Sequence, residues 1–444
     1  MNETAAGQPH IFAGRQQAAD VAEDADLTRV GPGTPCGEYL RRFWQPVAIS
    51  SELGELPLKV RMLGEDLLLI RTQRREVGLL GRHCCHRGTS LEYGIITDEG
   101  ISCCYHGWHF AVDGTILDTP NDPESRIRHR LRQTAYPTRE YKGVIFAYLG
   151  PPEAVPAFPR FDTCEDPETE LVPFSIHYPC NWLQCLENTQ DPVHSVFLHT
   201  RISGVQFAEA WGSLNVLDFV ETPIGMMTVN SRRWKDHIWV RTNESNMPNM
   251  NQVPVLWQDA ETEKSFQRVS NTRWFRATDD VNTEWIGWRH FNDDVDPDGR
   301  GDRSRIGKGM IDVMGHSETE RPYAERQKSP GDFEAITGQR PIAIHKLENL
   351  TRTDRGVTML RRMIRQGIRA VREGKPFPSP SDRADEVVPT YSQDTIIRMP
   401  PTGGDDRALM REVGDKVARI NLDTASLPPE ERKKEFARRV GEIA

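Results

Sequence analysis

The chain has 444 residues, a length that suits two or three domains, and its 56 Lys and Arg against 65 Asp and Glu leave a formal net charge of −9. With no basic excess to neutralise phosphates, a protein resting on nucleic-acid electrostatics is excluded; with 37% hydrophobic and 27% charged residues, so is a wholly disordered chain. No apolar run approaches the roughly 20 residues that cross a bilayer, and the N-terminus lacks the basic start and apolar stretch of a secretory leader, so a cytoplasmic protein with neither a membrane nor a nucleic-acid partner is expected.

Residues 1–26 are polar, Ala-rich and acidic and read as a mobile arm. The Gly31-Pro32-Gly33 turn and Gly37 give a loose G-x-G pattern, but it carries proline and follows no strand, so no dinucleotide site is expected there. From 45 to about 155, alternating apolar positions and closely spaced Gly turns predict short antiparallel strands: VRMLGEDLLLIRT, REVGLLGRHC, ISCCYHGWHFAVDGTILDT and GVIFAYLG. The run Pro151-Pro152-Glu153-Ala154-Val155-Pro156 marks a boundary. Beyond it, 181–199 reads as helix, and TVNSRRWKDHIWVRT, SFQRVSNTRWF and TEWIGWRHF read as strands of a second sheet. Residues 355–373 have the spacing of an amphipathic helix with a basic outer face, and 429–444 form a charged helix candidate. The expected class is α+β: an arm (1–26), a small antiparallel β domain (27–155), a larger α+β domain (156–385) and a C-terminal extension, helical at its end (386–444).

Of eight cysteines, Cys36, Cys164, Cys180 and Cys185 are scattered, whereas Cys84, Cys85, Cys103 and Cys104 form two doublets. Histidines interleave with the doublets: Cys84-Cys85-His86-Arg87-Gly88 and, after sixteen intervening residues from His86, Cys103-Cys104-Tyr105-His106-Gly107-Trp108. Two thiolates and two imidazoles on two loops suit structural zinc in a closed tetrahedral site, and equally a [2Fe–2S] cluster in which two histidines replace two cysteines on one iron. Gly88 and Gly107 allow backbone N–H groups to approach bridging sulfides, and Tyr105 and Trp108 give an aromatic cover, both of which favour the cluster.

These residues resemble the Rieske signature, C-x-H-R-G-x-x-L and C-x-Y-H-G-W-x-F, matched by Cys84 to Leu91 and Cys103 to Phe110. The resemblance implies Cys84, His86, Cys103 and His106 as cluster ligands. Cys85 and Cys104 stand where the family often has proline; they are expected to be non-ligands, and His83 and His109 to be flanking residues.

A second run, Asn181-Trp182-Leu183-Gln184-Cys185-Leu186-Glu187-Asn188, leads into Asp191-Pro192-Val193-His194 and on to His199. Residues five apart are separated by roughly 140° on an ideal helix, so His194 and His199 converge on one ion only if the helix is bent or bulged between them. Asp191, three before His194, is placed to hydrogen-bond its imidazole. Two histidines with a distant carboxylate suit the facial triad of non-haem Fe(II) oxygenases. The D-x-x-H-x-x-x-x-H run and its lead-in resemble the mononuclear iron motif of Rieske oxygenases. Likeness to phthalate-dioxygenase-like members around 327–342 implies Asp332 as the third ligand, with Glu334 and Glu325 as fallbacks.

The resemblance, spanning about 27–373, implies an N-terminal Rieske domain and a helix-grip-like catalytic domain whose antiparallel sheet is flanked by helices. It implies the terminal oxygenase (alpha) component of an aromatic ring-hydroxylating system, with a [2Fe–2S] cluster, a mononuclear Fe(II) and O₂ as co-substrate. Electrons would come from a separate flavin and [2Fe–2S] reductase drawing on NADH or NADPH. A homotrimer or a hexamer of two stacked trimers is implied, in which Asp191 joins a Rieske histidine of one subunit to the iron of the next. Asn188 is a candidate for shaping the iron site. The leading reaction is dioxygenation of a small aromatic carboxylate, with Arg201 and Arg241 as candidate carboxylate partners beside an ordinary structural role. The alternatives are monooxygenation by O-demethylation or diaryl-ether cleavage, and a non-catalytic electron relay.

Overall fold

The computed structural model describes residues 21–293, 295, 321–382, 386–401 and 403–443. Three small antiparallel sheets occupy the N-terminal third. The strands Trp44–Ile49, Val144–Tyr148 and Thr138–Tyr141 form one, so residues a hundred positions apart close the unit against each other. Leu58–Met62, Glu65–Arg71, Val77–Gly81 and Ala135–Tyr136 form the second, and Ile95–Ile96, Gly100–Ser102, His109–Ala111 and Ile116–Asp118 the third. Each predicted apolar run falls on one or more of these strands.

A nine-stranded sheet dominates the rest. Its order across the main path is Glu170–Tyr178, Asn282–Phe291, Val269–Asp279, Met250–Pro254, His237–Asn246, Gly225–Trp234, Val216–Thr222. All these pairings are antiparallel. Strand His237–Asn246 has two successive neighbours on one edge: its end pairs with Met250–Pro254, its beginning with Gln393–Arg398. The latter also pairs with Lys264–Gln267. The stretch expected to be a C-terminal extension, helical at its end, 386–444, supplies a strand of the large sheet, and its helices Asp406–Asp423 and Pro429–Gly441 build an apolar core against that sheet through Val413, Val417 and Phe436. The boundary expected at 385 falls on 383–385, outside the described residues.

The inner strands of the large sheet are mostly buried on both faces, eight consecutive residues in Gly225–Trp234, which is why they read as near-continuous apolar and amide runs. Helix Arg355–Arg372 buries Val357, Leu360, Ile364 and Ile368 at three- and four-residue spacing, the stripe that the sequence pattern predicts. Gly367 lets it approach closely: a Cβ there would lie 2.4 Å from the Tyr39 ring. One continuous core runs from Leu27, Tyr39 and Leu69 into Phe174, Trp182 and Leu360, so the two units share their apolar interior.

Of the expected arm 1–26, residues 1–20 lie outside the described residues, while 21–26 are anchored. The Asp24 N–H donates to His345 Nδ1 (3.0 Å), Arg365 pairs with the Asp24 carboxylate, and Glu23 pairs with Arg29. No helix among the described residues is long and apolar enough to cross a membrane.

Candidate metal centres

The two Cys/His loops share one geometry. In the first, the Gly88 N–H donates to the Cys84 carbonyl (2.8 Å) and the Cys84 N–H to the Thr89 carbonyl (2.9 Å). In the second, the Gly107 N–H donates to the Cys103 carbonyl (2.9 Å) and the Cys103 N–H to the Trp108 carbonyl (2.8 Å). Gly88 and Gly107 have φ of +77° and +76°, the left-handed region that favours glycine, and a Cβ on Gly107 would also lie 2.6 Å from Pro120. The loops bring His86 and His106 together, with ring centroids 4.6 Å apart, and Trp108 stacks on His86 at 4.5 Å. Cys84 and Cys103 are buried; burial pushes the Cys84 thiol up to about 11, and the neighbouring Cys103 adds to it. Two adjoining thiols and two adjoining imidazoles fit a cluster with sulfur ligands on one iron and nitrogen ligands on the other.

The neighbours have other work. Cys104 is exposed; the Cys85 N–H donates to Gln133 Oε1 (2.8 Å), and Gln133 Nε2 donates to the Gly81 and His83 carbonyls. Gln133 thus staples the first loop from a distant strand connection, a role with no local sequence signal. His83 Nδ1 meets the Gly88 carbonyl and His109 Nε2 meets Thr97 Oγ1, as expected of flanking residues.

The second set starts on the helix Trp182–Asn188. Asn181 caps it, its Oδ1 accepting from the Leu183 N–H, while its Nδ2 donates to the Thr28 and Asp280 carbonyls. Gln184 ties the helix to the Asp332 region: it donates to the Ile336 and Arg340 carbonyls and accepts from the Ala343 N–H. The chain then turns through Thr189–Val193 and resumes at His194–Val196, followed by a π-helical turn over Phe197–Arg201, closed by an Ile202 N–H to Phe197 carbonyl bond of 2.8 Å. That wider turn is the bulge that five-residue spacing requires.

His194 Nε2 and His199 Nε2 lie 3.5 and 3.4 Å from Asp332 Oδ1, and the three donor atoms all fall within 4.8 Å of one another. The far side of each ring is engaged. His194 Nδ1 donates to the Asp191 carbonyl, with the Asp191 carboxylate 4.0 Å away; His199 Nδ1 meets Gln206 Oε1 at 2.8 Å. Asn188 Nδ2 donates to Asp332 Oδ1 (3.3 Å). Burial opposes ionisation of Asp332, but the facing His199 and His194 rings and the Arg273 guanidinium outweigh it and hold its carboxyl below the usual range. Two imidazoles and a carboxylate on one side of a point, with a cavity on the other, suit a divalent iron with open positions. Glu334 is used otherwise, accepting from the Gly331 N–H and pairing with Arg326; Glu325 is no part of the cluster.

A second cluster, Glu187, His345 and Glu348, also brings three ligand atoms together. The Arg361 guanidinium already fills it, donating to both Glu187 oxygens (2.5 and 2.8 Å) and both Glu348 oxygens (2.6 and 2.8 Å). It is a structural ion-pair knot.

The triad lies in the wall of a cavity of about 110 Å³. Aromatic Phe207, Trp211 and Trp285 and cationic Arg241, Arg273 and Arg289 share its lining. Arg241 is buried against Asp394 (3.2 Å), and Arg273 lies over Trp285 at 4.4 Å. Arg201 donates to the Gly212 carbonyl, is exposed and takes no part in the cavity lining.

The Rieske [2Fe-2S] domain family matches residues 43–138. Across 99% of its length the chain is 38% identical to the tert-butanol monooxygenase / tert-amyl alcohol desaturase oxygenase subunit of Aquincola tertiaricarbonis, covering 97% of that protein. It is 39% identical to phenoxybenzoate dioxygenase subunit alpha of Ectopseudomonas oleovorans over 79% of this chain and 86% of that one. The fold is similar to that of Pseudomonas putida CBB5 NdmA with caffeine, with a TM-score of 0.58 at 18% identity over 79% of this chain and 96% of that chain.

Proposed function

The chain belongs to the Rieske non-haem iron oxygenases, and on that premise we propose that its two donor sets hold the two metal centres and that its substrate is an aromatic carboxylate. It is a terminal oxygenase component that works with a separate reductase. When bound, the [2Fe–2S] cluster supplies single electrons and the mononuclear iron supplies the site at which O₂ is activated. In this reading Cys84, Cys103, His86 and His106 hold the cluster within 27–155. His194, His199 and Asp332 hold the iron within 156–385, and 386–444 completes the sheet around it. Asn188 steadies the Asp332 carboxylate. Asp191 hydrogen-bonds His194 and, in a homotrimer or hexamer, takes His106 of the partner subunit on its free oxygen. No residue of 84–108 lines the cavity beside the triad, which supports delivery of electrons from a neighbouring copy.

The observation that supports the substrate reading is the pairing of guanidinium and aromatic side chains in the cavity lining. Among the described residues that lining includes the guanidiniums of Arg273, Arg289 and Arg241, the last paired with Asp394, beside the aromatic Phe207, Trp211 and Trp285. A planar, anionic substrate answers both Arg273 and the aromatic walls. For aromatic carboxylates, Arg273→Gln is expected to lower kcat/KM by about 10- to 100-fold, the loss of one charge-assisted hydrogen bond of about 1.5–3 kcal/mol, while neutral aromatics are little changed. Equal losses on both substrate classes would remove the carboxylate reading. Ring dioxygenation places both ¹⁸O atoms of ¹⁸O₂ in one product molecule.

Monooxygenation of a neutral, oxygen-bearing substrate is the second reading. The side-chain amides of Asn230, Asn243, Asn251 and Asn271 in the same cavity favour it, as does likeness over nearly the whole chain to a tert-butanol monooxygenase. One ¹⁸O atom per product molecule would decide for it.

A further inference from the structure

Gln206 stands seven residues beyond His199, past the π-helical turn, and holds that histidine twice. Its N–H donates to the His199 carbonyl (2.9 Å), and its side-chain Oε1 faces His199 Nδ1 (2.8 Å). The other end of the amide, Nε2, donates to the Pro330 carbonyl (2.9 Å), two residues before Asp332. A backbone carbonyl only accepts, so it settles which end of the amide is the NH₂ group. The amide oxygen must then face the ring, and only a ring N–H satisfies it. His199 therefore carries its proton on Nδ1, and the bare Nε2 points toward Asp332 Oδ1 at 3.4 Å. His194 takes the same tautomer from the main-chain carbonyl of Asp191, which no side-chain replacement removes. At His199 that task falls to a side chain.

We propose that Gln206 is the positioning residue of the mononuclear site: it fixes the tautomer and rotation of His199 and, through Pro330, the distance between the histidine loop and the carboxylate loop. The proposal rests on the reading of His194, His199 and Asp332 as the iron ligands. A preset tautomer spares the metal the cost of turning the ring and moving its proton, and outer partners of this kind are worth about 10- to 100-fold in metal affinity.

The test uses the full-length oligomer with its cluster intact. The mononuclear metal is removed and Co(II) titrated back, read by its d–d absorption, beside iron analysis of the protein as purified. Gln206→Leu is expected to keep the cluster spectrum and to raise the Co(II) dissociation constant by about 10- to 100-fold. Gln206→Glu keeps the acceptor for the Nδ1 proton and loses the donor to Pro330, so its dissociation constant is expected between those of wild type and Gln206→Leu. A merely structural role would shift the unfolding temperature and leave the affinity of the folded protein alone. Co(II) affinity of Gln206→Leu within about twofold of wild type would overturn the proposal, and near-isosteric Gln206→Met replaces it should the leucine variant fail to fold. His199→Ala separates the two readings: undiminished Co(II) binding there would mean that the ligand assignment itself is wrong.

Discussion

Asp191 offers His194 two acceptors, a carbonyl that already takes the Nδ1 proton and a carboxylate 4.0 Å away whose second oxygen is free to reach another molecule. Replacing that carboxylate by an amide preserves size and leaves the carbonyl bond in place. Asp191→Asn is therefore expected to retain the cluster spectrum and the mononuclear iron while substrate turnover falls by about 100-fold, measured as reoxidation of the reduced cluster by O₂ in the presence of substrate. Retained turnover would remove the bridging role. At this scale the sequence is most informative where chemistry is local. The doublet loops and the Asp191–His194–His199 run are each legible because neighbouring residues do one job. Asp332 is legible only through resemblance, since its distance in sequence from the histidines carries no geometry. Gln133, Gln206 and Arg273 are not legible at all: each acts through a tertiary contact with nothing in its own neighbourhood to mark it.

Among elements, the strand His237–Asn246 shows how burial sets a pH response. Its Glu244 is fully buried and accepts from Thr222 Oγ1 and from the Tyr391 N–H (2.9 Å each). Burial pushes its carboxyl from the ordinary 4.5 up to about 8. Between those values the folded chain keeps a proton that the unfolded chain has released. This contribution to stability is thus complete below about pH 4.5 and is lost as pH rises toward about 8. Glu244→Gln cannot ionise, so its melting temperature is expected to decline less than that of wild type between pH 6 and 8; parallel declines would contradict the assignment. In the helix Arg355–Arg372, Gly367→Ala drives a methyl into the Tyr39 ring, and urea unfolding is expected to show a loss of about 1–3 kcal/mol. Most elements were readable from periodicity. The π-helical turn follows from a geometric requirement on two histidines, whereas strand Gln393–Arg398 carries no local signal because its role depends on a partner well over a hundred residues earlier.

For the whole molecule, the boundary run at 151–156 separates two chemistries but not two cores, since Leu27, Tyr39 and Leu69 pack into the same interior as Trp182 and Leu360. If electrons cross between copies, a chain lacking the cluster (Cys84→Ser) and a chain lacking the iron (His194→Ala) should each be inactive alone and regain turnover when co-expressed in mixed oligomers. Transfer within one chain predicts no recovery, because every chain then has one centre broken.

The placement of Gln393–Arg398 inside the large sheet bears on how the protein is made. Synthesis runs from the N-terminus, and the strands around Trp44 to Tyr148 can pair while the rest of the chain is still being added. The large sheet has no such freedom. One of its inner places, between His237–Asn246 and Lys264–Gln267, belongs to a strand made well over a hundred residues later, and Asp394 on that strand supplies the buried counter-charge of Arg241 in the cavity wall. Until then an unpaired edge and an uncompensated arginine stand open. The large sheet is therefore closed late, and a chain that stops before Gln393 forfeits a wall of the cavity.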